Sequence, residues 1–207
     1  MPRKREFMKI TDISEASKSK LKIFIDGEFS FVLYKGELRS LKLKVGDELD
    51  EAVYKEITNA ILPRRCKLRA MHLLEKKPYT EAEIRRKLRD NMYPEDIISS
   101  TVDYLKGFNY INDHDYACQY IQTYADSKSL KLMSSNLIQK GISKKDLDSA
   151  IEQVRELGDM PNEREQIAEA LRKKGYDKES ADDKTRAKIA RYLYGKGFSS
   201  ELIMDMI

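Results

Sequence analysis

Few side chains in this sequence have the chemistry that catalysis or metal binding requires. Its 207 residues contain two histidines, His72 and His114, and two cysteines, Cys66 and Cys118. A zinc site normally needs three or four such ligands close together, and the two histidines are 42 residues apart. The acids in Asp113-His114-Asp115 are more typical of a helix start than of a catalytic triad. We therefore expect no catalytic residue, no metal, no cofactor and no enzymatic activity.

The side chains that could do chemistry are instead cations at helical spacing, which could contact phosphates or an acidic partner. Two basic stripes fall at equivalent positions of two similar segments; they are Arg85, Arg86 and Arg89, and Lys184, Lys188 and Arg191. Basic patches of this kind often mark nucleic-acid binding. However, Glu81 lies four residues before Arg85, a spacing typical of a solvated helix face. The sequence leaves both interpretations open.

A denser basic cluster precedes the first stripe. Arg64, Arg65, Lys67 and Arg69 place four cations within six residues. Helical geometry distributes them around the axis, so a contact surface and a solvated helix again both stay open.

The chain also contains 12 tyrosines, which could stack on unpaired bases in the way that single-strand binders use them. Tyr116, Tyr120 and Tyr124 recur at every fourth position. This periodicity favours a packed helix face over a stacking surface.

Charge and hydropathy limit the class of protein. Lys and Arg number 39 against 35 Asp and Glu, a net charge of +4 that by itself does not indicate nucleic acid. The basic excess is concentrated in residues 64–111, with 11 cations against 7 acids. Mean hydropathy is −0.65, and no apolar run follows Met1–Arg5, so we expect a cytoplasmic protein without a signal peptide or membrane span. Cys66 and Cys118 could form a disulfide only if the fold places them side by side.

The N-terminal part has the pattern of a small β-region. Residues 21–34 contain two β-prone runs around Asp26-Gly27, a dipeptide typical of a type I′ turn. An isolated hairpin is marginal in water, so we expect residues 7–13 to pair with it.

A helix is expected next. Asp50 has the side chain of an N-cap, and Val53, Ile57 and Ile61 are apolar at every fourth position. Pro63 is expected to end or restart this helix.

After Pro63 the same helix ending occurs three times. It begins at Leu88, Leu137 and Leu193, and the fourth residue after the second and third leucines is a glycine, Gly141 or Gly197. Glycine at that position fits the left-handed residue that ends a helix. Periods near 50 residues are typical of stacked repeats.

We therefore predict a mainly α fold of three tandem three-helix repeats, forming an elongated curved rod, with a small N-terminal β-hairpin region. The domain boundaries are 1–62, 63–111, 112–159 and 160–207. The predicted helices are 64–76, 80–91, 94–107, 113–126, 130–140, 143–157, 162–175, 183–196 and 199–207.

Three segments of this region together resemble the RecX family. They are Tyr79-Thr80-Glu81-Ala82-Glu83-Ile84 followed by Leu88, the stretch from Leu105 to Ala117 with its Phe108-Asn109-Tyr110-Ile111-Asn112-Asp113, and Lys140-Gly141-Ile142. The resemblance covers residues 64–207 in order and spacing. Two positions depart from the family pattern, because Met92 replaces a preferred glycine and Tyr79 stands where a basic residue is common. The first departure should strain a helix cap, and the second should remove a contact.

The resemblance implies a modular regulator that lies along a RecA recombinase filament on single-stranded DNA and suppresses its ATP turnover and strand exchange. It thereby implies a role in recombination and the SOS response. The expected partners are the RecA filament and, secondarily, single-stranded DNA, and the chain is expected to act as a monomer. The rival hypothesis is a stand-alone helical DNA-binding protein without a recombinase partner.

Overall fold

The computed structural model describes residues 8–207, so Phe7 and the segment Met1–Arg5 lie outside the described residues. Four short strands and a short helix precede the main helical part. In chain order these first elements are β1 (Met8–Ser17), β2 (Lys20–Ile25), β3 (Glu28–Tyr34), α1 (Lys35–Ser40), β4 (Glu48–Leu49) and α2 (Glu51–Glu56).

Nine further helices follow, and each lies within two residues of a predicted helix at both ends. They are α3 (Leu62–Leu74), α4 (Glu81–Asp90), α5 (Glu95–Gly107), α6 (Asp113–Tyr124), α7 (Leu130–Gln139), α8 (Lys144–Glu156), α9 (Glu163–Lys173), α10 (Asp183–Gly195) and α11 (Ser200–Met206). Several begin at a polar cap, as where the Ser129 side chain accepts the Leu132 N–H at the start of α7. The mainly α prediction is confirmed. Within residues 8–207 no helix combines the length and the apolar character needed to cross a membrane.

The predicted hairpin is confirmed and belongs to a larger sheet. Asp26 (φ 51°) and Gly27 (φ 88°) are both left-handed, as a type I′ turn requires, and join β2 to β3. Strand β1 pairs antiparallel with β2, and the sheet order is β3-β2-β1-β4. The two-residue strand β4, which the sequence pattern does not predict, pairs with the start of β1.

Pro63 was expected to end or restart the helix, and it lies in the first turn of α3, where a new α-helical segment starts without a break in the helix. Asp50 caps α2 as predicted, accepting the Ala52 N–H. Ile57–Ile61 then form a single π-helical turn, and α3 follows without a break. Proline is tolerated in the first turn of an α-helix, where its missing N–H is not needed, and Pro63 has that position in α3. The predicted boundary between residues 62 and 63 falls inside this continuous helix.

The described residues form two compact units. The first contains residues 8–79 and 83–111, and the second contains residues 80–82 and 112–207. One apolar cluster fills the first unit, where the sheet residue Phe31 and the helix residues Cys66 and Ile98 are all buried. The second unit contains two smaller clusters, one including Met133 and the other Leu193. Both cysteines are free and buried. The curved rod and the four domain boundaries stay predictions.

The predicted glycine caps are confirmed at both positions. Gly141 has φ +89° and Gly197 has φ +87°. Met92, at the equivalent position of the first repeat, has φ +60°, so a residue with a side chain occupies the left-handed region there. This backbone strain agrees with the strained cap expected from the sequence.

The two glycines also allow close approach inside the second unit. A Cβ at Gly197 would collide with the Ser129 side chain, and the Ser129 N–H donates to the Lys196 carbonyl at 3.2 Å. A Cβ at Gly141 would likewise collide with the Ala82 side chain. Glycine at these positions therefore serves tertiary packing as well as the helix cap.

Candidate interaction surfaces

The four cations of α3 have different surroundings. Arg64 is exposed, whereas Arg65, Lys67 and Arg69 are half-buried. This difference follows from the helical distribution that the sequence predicts, since the buried face of α3 contains Cys66 and packs on the apolar cluster.

Arg65 is held inside the first unit. Its Nη1 donates to Glu37 Oε2 at 2.6 Å, and its Nη2 donates to the Val32 carbonyl at 3.2 Å. The guanidinium carbon also lies 4.5 Å from the ring centre of Tyr34 and 5.7 Å from that of Tyr93. The two charged side chains are only 14% and 23% exposed. This arrangement favours a structural role for Arg65, tying α3 to β3 and α1.

The structure adds a cation that sequence reasoning missed. Burial and the positive charges of Arg65 and Arg69 lower the pKa of Lys20, which lies at the start of β2. Lys20 Nζ donates to Asn91 Oδ1 at 3.1 Å, and within residues 8–207 the buried Arg69 Nε has no hydrogen-bond partner. Lys20, Arg65 and Arg69 therefore lie in one region of positive potential. The fold creates this region by bringing β2 close to α3.

The stripe on α4 is largely engaged with α5. Arg89 forms two hydrogen bonds with the Glu95 carboxylate, at 2.8 and 2.7 Å, and Arg85 Nη1 lies 3.7 Å from the same carboxylate and 3.2 Å from Ser99 Oγ. The hydrogen bond from Arg89 lowers the pKa of Glu95. Arg86 and Arg89 are both exposed, but the guanidinium group of Arg89 is bound to Glu95.

The stripe on α10 is more open. Lys184, Lys188 and Arg191 are all exposed, and their spacing of four and three residues places them on one side of the helix. Arg191 Nε donates to the Ala187 carbonyl of its own helix at 3.2 Å. These cations are the predicted contact residues of the second unit, and all three are accessible to a partner.

The tyrosines of α6 form a packed helix face, as their spacing predicts. Tyr116, Tyr120 and Tyr124 are half-buried and pack against the cluster around Met133. Lys128 Nζ lies 3.6 Å from the ring centre of Tyr124 and donates to the Tyr120 hydroxyl at 3.1 Å. Packing and cation–π contacts therefore explain this row of tyrosines without a base-stacking role.

A different set of aromatic residues is exposed at the end of α5, and we call Tyr104, Phe108 and Tyr110 the aromatic patch. Their side chains are 36%, 62% and 47% exposed. Ring centres lie 4.8 Å apart between Tyr104 and Phe108 and 6.1 Å apart between Phe108 and Tyr110. Lys67 Nζ lies 4.3 Å from the ring centre of Tyr104. Sequence reasoning missed this patch, although two aromatic residues around a helix end could have indicated it.

The fold and these surfaces define a helical protein whose candidate sites are charged and aromatic contact surfaces. The family model described as "RecX, first three-helix domain" matches residues 66–105, and "RecX, third three-helix domain" matches residues 162–207. A regulatory protein RecX from Clostridium beijerinckii is 30% identical over 200 residues, which cover 95% of this chain and 92% of that protein. The chain therefore belongs to the RecX family.

Solved structures of the family agree with this assignment. A crystal structure of regulatory protein RecX is 27% identical with a TM-score of 0.57, and the match covers 96% of this chain and 99% of the other. RecX from Lactobacillus salivarius is 26% identical with a TM-score of 0.55, covering 70% of this chain and 94% of the other. The similarity thus extends over the β-region as well as the helices.

Proposed function

We propose that this chain is a non-enzymatic regulator that binds the RecA filament on single-stranded DNA and lowers its ATP hydrolysis and strand exchange. Membership of the RecX family over 95% of the chain is the observation that supports this function. The same reasoning supports a cytoplasmic protein that acts as a monomer in recombination and the SOS response.

The exposed cations give this proposal its candidate contacts. Arg86 on α4 and Lys184, Lys188 and Arg191 on α10 point their charge to solvent, where acidic side chains or phosphates could pair with them. Arg64 adds a further exposed cation on α3. Arg65 and Arg89 contribute less to such a surface because their guanidinium groups are already paired with Glu37 and Glu95.

The direct test is DNA-dependent ATP hydrolysis by the cognate RecA protein with substoichiometric amounts of this chain. Inhibition below one chain per recombinase subunit is expected, because a chain bound along a filament affects several subunits. An ATPase rate that stays constant up to equimolar chain contradicts the proposed inhibition.

The contact surface is tested by the double variant Arg86→Glu with Arg191→Glu. Reversal of two exposed charges should weaken filament binding at least about tenfold, since like charges across an interface cost several kcal/mol. Lys144→Glu with Lys145→Glu is the matched control, because both lysines are exposed on α8 and the change in net charge is the same. Co-sedimentation with the filament measures both, and circular dichroism should show unchanged helicity. Equal binding by the two double variants would refute the predicted surface.

A second candidate function, stand-alone DNA binding, is favoured by the aromatic patch and by the basic excess of residues 64–111. Salt dependence distinguishes the two functions. Binding to single-stranded phosphates should weaken with a log–log slope of about 0.7 for each neutralised phosphate. Tight and salt-sensitive binding to naked DNA, together with unchanged recombinase ATPase, would identify the stand-alone binder.

A further inference from the structure

We infer that the aromatic patch binds unpaired nucleic-acid bases by stacking, with Lys67 placed to meet a neighbouring phosphate. This inference deepens the proposed function by assigning a direct contact with single-stranded DNA. It rests on that function in one respect, because the recombinase filament supplies the single-stranded DNA that the patch would bind. Its main measurement, oligonucleotide binding by the chain alone, contains no recombinase, so failure of this inference can be distinguished from failure of the proposed function.

The three rings form one continuous exposed surface. Phe108 is the central ring, with ring-centre distances of 4.8 Å to Tyr104 and 6.1 Å to Tyr110, and its plane lies within 26° of that of Tyr110. Phe108 is also the most exposed of the three, at 62%. Neighbouring aromatic faces in water offer successive unpaired bases a stacking surface, and stacking tolerates any base because every base has a π face.

The backbone that carries the patch is fixed before any ligand binds. At the end of α5 the Phe108 N–H donates to the Tyr104 carbonyl at 3.2 Å, and the Tyr110 N–H donates to the Leu105 carbonyl at 2.8 Å. Asn109 between them has φ 57°, the left-handed residue of a helix C-terminus. Leu105 is fully buried and anchors this turn to the apolar cluster. Ligand binding therefore requires little ordering of the chain, which reduces its entropic cost.

The charges around the patch favour a polyanion as its occupant. Lys67 Nζ lies 4.3 Å from the ring centre of Tyr104, and Arg64 is exposed three residues earlier on the same helix. Asp103, also exposed, is an acid next to Tyr104 in the chain, but residues 64–111 as a whole carry 11 cations against 7 acids. Phosphates and bases alternate along a single strand, so a cation beside an aromatic ring can bind a phosphate while the ring stacks on the neighbouring base.

The experiment measures binding of the full chain to a fluorescein-labelled oligo-dT of roughly 20 nucleotides, long enough to exceed one such site. Fluorescence anisotropy should show that Phe108→Ala and Tyr110→Ala each raise Kd at least about fivefold, the loss expected for one stacked base. Phe108→Tyr should keep Kd within about twofold, because it preserves the ring. Circular dichroism checks that each variant keeps its helicity.

Three controls separate stacking from general effects. Phe29→Ala removes an exposed phenylalanine of β3 from the same unit and should leave Kd unchanged. Binding to a duplex of the same length should not respond to Phe108→Ala, because paired bases are not free to stack. Lys67→Gln should lower the salt slope by about 0.7, the value for one lost phosphate contact, whereas Phe108→Ala should leave that slope unchanged.

The inference is overturned if the unmodified chain does not bind oligo-dT, or if both alanine variants bind it as tightly as the unmodified chain does. Alanine variants that keep their DNA affinity but no longer bind the recombinase filament would show that the patch contacts protein, which also overturns the inference and leaves the proposed function intact. Weaker oligo-dT binding with unchanged duplex binding supports it.

Discussion

Single arginines in this chain differ in whether their charge is already paired. Arg65 binds Glu37 and the Val32 carbonyl and is half-buried, whereas Arg86, Arg89 and Arg191 are exposed, with Arg89 paired to Glu95 at the surface. A guanidinium group that is buried and hydrogen-bonded contributes to folding, because removal of it leaves its partner uncompensated. An exposed guanidinium group contributes little to stability and is available to a partner.

Arg65 and its neighbour Arg64 provide a test of this division. Arg65→Ala should lower the free energy of unfolding by about 2 to 4 kcal/mol, because Glu37 and the Val32 carbonyl lose a buried donor. Arg64→Ala is the matched control and should change it by less than about 0.5 kcal/mol, as is usual for an exposed side chain. Urea unfolding followed by circular dichroism measures both. Equal stability of the two variants would show that the Glu37 pair is not structural.

At the scale of helices, the end of a helix has two roles in this fold. Gly197 ends α10 in the left-handed conformation, and the same residue lies against the Ser129 cap at the start of α7. Gly175 ends α9 with φ +61°, but a Cβ there would meet open space. Both positions therefore need glycine for its positive φ, but only Gly197 also needs it because a Cβ would collide with a neighbouring side chain.

Alanine substitutions distinguish these two requirements. Gly175→Ala should cost about 1 kcal/mol, because an L-residue is strained at positive φ. Gly197→Ala should cost about 2 to 4 kcal/mol, because the overlap with Ser129 is added to the same strain. Thermal unfolding of both variants provides the comparison. A similar loss of stability in the two would mean that α10 and α7 adjust to admit a Cβ at no cost.

At the scale of the whole molecule, each of the two units contains one buried cysteine. Cys66 belongs to the single large cluster of the first unit, and Cys118 to one of the two smaller clusters of the second. Both thiols are buried, so their reaction with a thiol reagent requires local opening, and burial also raises their pKa.

Thiol labelling of the full chain should therefore report the opening of each unit separately. In the single-cysteine variants Cys66→Ala and Cys118→Ala, we expect the remaining Cys118 to react about tenfold faster than the remaining Cys66. The reason is that a smaller cluster should open at a lower free energy, and ~1.4 kcal/mol corresponds to a factor of ten. Mass spectrometry over time in low urea measures both rates. Identical rates would indicate that the chain opens as one cooperative body.

The sequence by itself determined the elements with local causes. The type I′ turn at Asp26-Gly27, the cap at Asp50 and the nine main helices all follow from residue spacing and from hydrogen bonds between near neighbours. The π turn at Ile57–Ile61, which joins α2 to α3, was not predicted, because such turns are rare and residue spacing alone does not indicate one.

Only the tertiary structure decided which candidate side chains are available for contacts. Helical periodicity identified the cations of α3, α4 and α10. The pairing of Arg65 with Glu37, and the repulsion that Arg65 and Arg69 exert on Lys20, depend on residues far apart in the chain. The aromatic patch was missed for the same reason. A ring is buried or exposed according to whether other helices and strands pack over it, and this depends on long-range packing rather than on local residue spacing.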